Sequence, residues 1–125
     1  MKWLLTVLFF MSAAGSCEAA LKDWTEKERK LYHSYLALSA VDTYQTFKMI
    51  DCQKQPSCPF VEMNPIIGSH PSKERLVAVK LVGNVVIYKL LDNYANEDRE
   101  FALKLMTAMQ GLVVTHNGIY YMRRF

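Results

Sequence analysis

The chain has 125 residues, of which 51% are hydrophobic and 22% charged, and it carries a net charge of +3. That length allows one domain at most, and the hydrophobic share excludes a disordered chain. A small charge with no long basic run argues against nucleic acid as a partner.

Residues 1–19 read as a secretory signal peptide. Lys2 is the positive start, Trp3 to Met11 the apolar stretch, and Ser12-Ala13-Ala14-Gly15-Ser16 the small-residue region. Cleavage is expected after Ala19. Cleavage before Cys17 is the alternative, but Ala14-Gly15-Ser16-Cys17 is a weak lipoprotein-like match without the usual leucine. An uncleaved anchor is a third option, although about 14 apolar or small residues are short for a span. Loss of Cys17 leaves Cys52 and Cys58, an even pair with Pro56 between them. This suits a small loop closed by a disulfide in an oxidising compartment, with two free thiols as the alternative.

Three helices are expected, at about 25–50, 72–94 and 97–122. Thr25-x-x-Glu28 is a capping-box pattern that opens the first. Its opening turns, Glu26 to Lys30, read as charged and solvated. Further on, Ser39, Asp42, Gln45 and Thr46 recur at spacings of three and four, which places them on one face. Ser72 is placed to cap the second helix, which is apolar all round apart from Lys80, Asn84 and Lys89. The third helix carries Gln110, His116 and Asn117. Gly111, Thr115 and Gly118 form a small-residue stripe on it, suited to close packing.

A helix apolar around its whole circumference sits in a large core or faces lipid. About 105 residues in three helices cannot cover a central helix on every side. The expected fold is therefore an all-α, three-helix bundle embedded in the inner membrane. Lys48, Lys80, Lys89 and Lys104 lie near helix ends, from which their long stems can snorkel to the interface. Trp24, Tyr32, Tyr94, Tyr120 and Tyr121 are placed as interfacial aromatics. A soluble periplasmic three-helix binding protein is the alternative, and it accommodates the lysines and the disulfide directly. Topology sets the two expectations at odds. If helix one spans from an exported N-terminus, Cys52 and Cys58 face the cytoplasm, where a disulfide does not persist.

Two groups of polar residues are candidate sites. Asp42, Asn84 and Gln110 fall near the middle of their segments. They are expected to meet at the bundle centre, with Asp42 protonated or hydrogen-bonded to the two amides. With Gln45, Thr46, Asn64 and Asn117 they form the candidate binding residues, and a structural clamp fixing helix register is the plainer reading. The second group is Glu62, Asn64 and His70 in the loop, with His116 and Asn117 towards the end of helix three. Glu62, His70 and His116 could hold a divalent metal or run acid–base chemistry as a small membrane-facing hydrolase. However, no H-E-x-x-H spacing or nucleophile signature accompanies them, and helix capping explains the loop as well. No cofactor or resident metal is expected, and the chain reads as non-enzymatic in preference to catalytic.

The densest signature is Glu62-x-Asn64-Pro65-x-x-Gly68-x-His70-Pro71-Ser72. Taken with Asp23-Trp24-Thr25, Asp42-x-x-Gln45-Thr46, His116-Asn117 and the closing Phe125, it resembles a group of small, signal-bearing helical proteins of phages and prophages of Gram-negative bacteria. The resemblance covers roughly residues 23–125. It supplies no activity and no catalytic residues, and the Cys52–Cys58 pair is not among the shared features. It implies a phage or prophage product acting in the bacterial envelope. The expected function is interaction with the bilayer and with a host envelope protein or a second copy, in lysis or in excluding competing phages. Contact would run through the Gly111/Gly118 face or the 62–72 loop. Transport along the Asp42 line would need an oligomer.

Overall fold

A computed structural model of the chain describes residues 23–60 and 65–120. The expected signal peptide, and Glu62 and Asn64 of the loop signature, lie outside the described residues. The described residues form three helices and no strand: α1 (Glu26–Cys52), α2 (Lys73–Asp92) and α3 (Asn96–Tyr120). The all-α, three-helix bundle is therefore observed. The β-branched run Val85-Val86-Ile87 is helical, in line with its flanks.

Local chemistry fixes the helix ends. Thr25 and Glu28 form the capping box, the Thr25 hydroxyl accepting from the Glu28 amide and the Glu28 carboxylate from the Thr25 amide, at 3.1 and 2.8 Å. Ser72 caps α2 by accepting from the Arg75 amide at 3.1 Å. The approach to α2 turns at Gly68, whose φ of +90° is strained for any residue with a side chain. Gln53 continues the turn after α1 and donates to the carbonyls of Phe60 and Ser69, tying the two ends of the loop together. Cys52 and Cys58 are joined by a disulfide, with Cα atoms 5.6 Å apart.

Contacts between helices define the direction of each. Glu28 meets Arg99, Leu31 meets Thr107 and Asp42 meets Asn117, so α1 and α3 run parallel. Trp24 meets Asp92, and Asp42 meets Lys80, so α2 runs in the opposite sense to α1. Most interhelical contact is between α1 and α3. Gly111 and Gly118 face α1 there, closest to Leu38 and Gln45, at distances an added Cβ would fill. The two glycines of the small-residue stripe thus pack against α1 inside the chain, while its third member, Thr115, is exposed.

The interior has an unusual order along its length. One end holds an aromatic cluster of Trp24, Tyr32, Tyr35, Leu91 and Leu103. The other holds Ile50, Ile67 and Leu76. Between them the buried residues of α1 are polar: Ser39, Asp42, Thr43, Gln45 and Thr46. The outer faces are the reverse. Val82, Val85, Val86 and Leu90 on α2 are exposed, as are Phe101, Leu105, Met109, Leu112 and Ile119 on α3. Trp24 and Tyr32, expected at an interface, are core residues, 3% and 2% exposed. Their rings pack edge to face at 5.4 Å, which buries large apolar area at the bundle end where three chain segments converge.

The helices contain 27, 20 and 25 residues. At about 1.5 Å per residue each reaches at least ~30 Å. Among the described residues, however, no helix is long and apolar enough to cross a membrane. The polar face of α1 and the charges near the helix ends lower the mean hydropathy.

Candidate functional site

The centre of the polar band is Asp42. Its position on α1 turns it inward with Ser39, Thr43, Gln45 and Thr46. Lys80 of α2 donates to Asp42 Oδ2 at 2.5 Å, and Asn117 of α3 donates to Oδ1 at 3.0 Å. One carboxylate therefore joins all three helices. The side chains of Asp42 and Lys80 are 11% and 18% exposed, so water screens this pair far less than a surface ion pair.

Backbone groups around this centre are satisfied from within the band. Thr46 donates to the Asp42 carbonyl at 2.9 Å and Thr43 to the Ser39 carbonyl at 2.8 Å. Such back-bonding keeps hydroxyls compatible with a buried helix face. Gln45 Nε2 donates across to the Val114 carbonyl of α3 at 3.1 Å. Two amide atoms are buried without a partner, the acceptor Gln45 Oε1 and the donor Gln110 Nε2.

The expected meeting of Asp42 with Asn84 and Gln110 is not what forms. Asn84 and Gln110 are half-buried, but the groups on the Asp42 carboxylate are Lys80 and Asn117. Lys80 does not snorkel outward. Its ammonium instead reaches the buried Asp42 carboxylate of the neighbouring helix, a charge-assisted hydrogen bond. The sequence carries a signal for this. Asp42 is the only acidic or basic residue of the α1 stretch 31–47 apart from His33, and Lys80 is the only charge in 76–88 of α2. Isolated opposite charges in two neighbouring apolar segments point to each other.

The second expected cluster does not assemble from the described residues. His70 is exposed, its Nδ1 3.1 Å from Ser69 Oγ. It borders an open cavity of about 430 Å³ with Ile50, Gln53, Lys54 and Lys73. His116 is exposed on α3, its ring 4.6 Å from that of Tyr120. Both histidines lie towards the same end of the bundle. Among the described residues no group of three or more His, Cys, Asp or Glu side chains is placed to hold a metal ion.

A buried charge centre at the other end escapes the sequence reading altogether. Glu28, which reads as solvated, is 1% exposed and pairs with Arg99 at 3.3 Å. The Arg99 guanidinium also takes the carbonyls of Leu91, Asp92 and Tyr94 and stacks 4.8 Å from the Trp24 ring centre. It thereby adds a donor to the carbonyls at the end of α2 and just beyond it. Glu28 and Arg99 are too far apart in sequence for a local pattern to connect them, so only the α1–α3 packing reveals the pair.

Two carboxylates, the exposed Asp51 and the half-buried Glu100, are held in the ionised form. Two lysines grip Asp51, and hydrogen bonding from Lys73 followed by Lys54 keeps its carboxyl below the usual range. At the start of α3, Lys104 and Lys27 draw Glu100 down to about 2. These groups tie neighbouring elements together at opposite ends of the bundle.

Searches of protein families, curated proteins and solved structures found no match to this chain.

Proposed function

We propose that the chain is a small integral membrane protein of the bacterial envelope with a non-enzymatic interaction role. The observation that carries this reading is the inverted distribution of polarity. A buried band of Ser39, Asp42, Thr43, Gln45 and Thr46 lies within a bundle whose outer α2 and α3 faces expose Val82, Val85, Val86, Leu105, Met109 and Leu112. In water that arrangement leaves large apolar side chains solvated while burying polar ones, opposite to what the hydrophobic effect selects. In a bilayer both halves are favourable, because the polar groups pair internally and the apolar faces meet lipid. Mean hydropathy counts the inward polar residues against each helix, although lipid would not contact them.

The resemblance of the loop signature to phage and prophage proteins supports a role in lysis or in excluding competing phages. Alkaline carbonate washing of membranes from expressing cells tests the membrane reading, which requires the protein to stay in the pellet. Changed lysis timing or phage resistance on expression tests the role.

A second reading is favoured by the absence, among the described residues, of any helix long and apolar enough to cross a membrane. In it the bundle is periplasmic and presents the α2 and α3 faces to an envelope partner. Purification as a monodisperse particle without detergent would establish this reading over the first.

A further inference from the structure

We propose that the Asp42–Lys80 pair is an insertion latch, through which α1 and α2 enter the bilayer as one charge-matched hairpin. The inference rests on the membrane reading and concerns how the bundle is assembled in lipid. Asp42 and Lys80 are the lone opposite charges of their apolar stretches, and they meet at 2.5 Å with little exposure. An unpaired carboxylate or ammonium at bilayer depth opposes insertion of the helix that bears it. Neither α1 nor α2 is therefore suited to lipid alone, and each supplies the charge that the other needs. The link from α1 to α2 covers residues 53–72, and Gln53, bridging Phe60 and Ser69, draws its ends together, with the Cys52–Cys58 disulfide added once the loop reaches the oxidising side, so the two charges belong to one hairpin. Asn117 then completes the shell of Asp42 with a neutral donor at 3.0 Å. On this account α3 joins a hairpin whose charges are already matched.

The test uses the full chain expressed in bacterial cells, with carbonate extraction and protease protection as readouts. Four forms are compared: wild type, Asp42→Leu, Lys80→Leu and the double Asp42→Leu/Lys80→Leu variant. The latch requires each single variant to lower the ratio of carbonate-resistant to released protein by roughly tenfold or more. The double variant, which removes both charges, must return to the wild-type ratio and protection pattern. Single variants retained as firmly as wild type would overturn the latch, and so would a double variant lost as completely as the singles. Release of the wild type itself would instead overturn the membrane reading, so the two failures are distinct.

Discussion

Arg99 Nη1 lies 3.3 Å from Glu28 Oε2, in a pair whose side chains are 7% and 1% exposed. The same carboxylate oxygen closes the capping box of α1 through the Thr25 amide. The same guanidinium holds the last carbonyls of α2. One contact thus joins the start of α1, the end of α2 and the first turn of α3. Arg99→Ala strands a buried carboxylate and removes the guanidinium from the Leu91 and Asp92 carbonyls, and the expected loss is about 3–5 kcal/mol of unfolding free energy. Chemical denaturation monitored by circular dichroism measures it. A loss below about 1 kcal/mol would place the pair among ordinary surface contacts.

Asn117 and Gln110 lie two turns apart on α3 and predict opposite outcomes. Asn117→Ala removes a donor to the buried Asp42 carboxylate, with an expected cost of about 1.5–3 kcal/mol for a hydrogen bond to a charged group. Gln110→Leu removes a buried donor that has no partner, so the expected change is neutral to stabilising, by up to about 1 kcal/mol. The same denaturation experiment ranks the two. Equal destabilisation by both would mean that Gln110 is engaged as firmly as Asn117.

The contrast between these residues and Lys80 shows how far the sequence could be read. Ser39, Asp42, Gln45 and Thr46 share a face by spacing alone, and that face is the buried polar band. Thr25, Glu28 and Ser72 announce their caps through local chemistry, which needs no knowledge of the fold. The destinations of side chains between helices are another matter. Lys80 reads as a snorkelling residue when α2 is considered alone, because its stem is long and the helix end is near. Only the antiparallel placement of α2 against α1 brings Asp42 within reach. Trp24 and Tyr32 read as interfacial for the same reason, since position along a helix does not say which face its neighbours cover.

Glu100 titrates at about 2, well below its ordinary value of 4.5, because Lys104 and Lys27 both hydrogen-bond its ionised form. A carboxyl depressed in the folded state adds stability that is fully present above the unfolded pKa and is lost as pH falls through the folded value. The stability contributed by this tie between the start of α1 and α3 is therefore complete above about pH 5 and is lost progressively as pH falls from there through ~2. Asp51 follows the same sign, with Lys73 as its principal partner. Carboxyl carbon shifts followed by NMR during acid titration read both groups directly. Lys104→Met should move the Glu100 midpoint upward and leave that of Asp51 unchanged. A Glu100 midpoint near its ordinary value in the wild type would show that the two lysines do not hold it.

On the membrane reading proposed above, the Cys52–Cys58 bond sets the orientation of the bundle. A disulfide persists on the oxidising side, so the end of the bundle that holds it, together with Ile50, Ile67 and Leu76, is expected to face the periplasm. The opposite end carries Lys27, Arg29, Lys30, Lys89 and Lys104, an arrangement in keeping with positive residues on the cytoplasmic side. A leader that exported Asp23 would place that opposite end outside instead, so a spanning α1 and a cleaved leader make opposing demands. Maleimide labelling in intact cells separates them. The expected result is that Cys52 and Cys58 stay unlabelled until a reductant is added, and then react with an impermeant reagent from outside. Thiols that react without reductant, and only after the inner membrane is opened, would reverse the orientation and assign the bond no structural role in the cell.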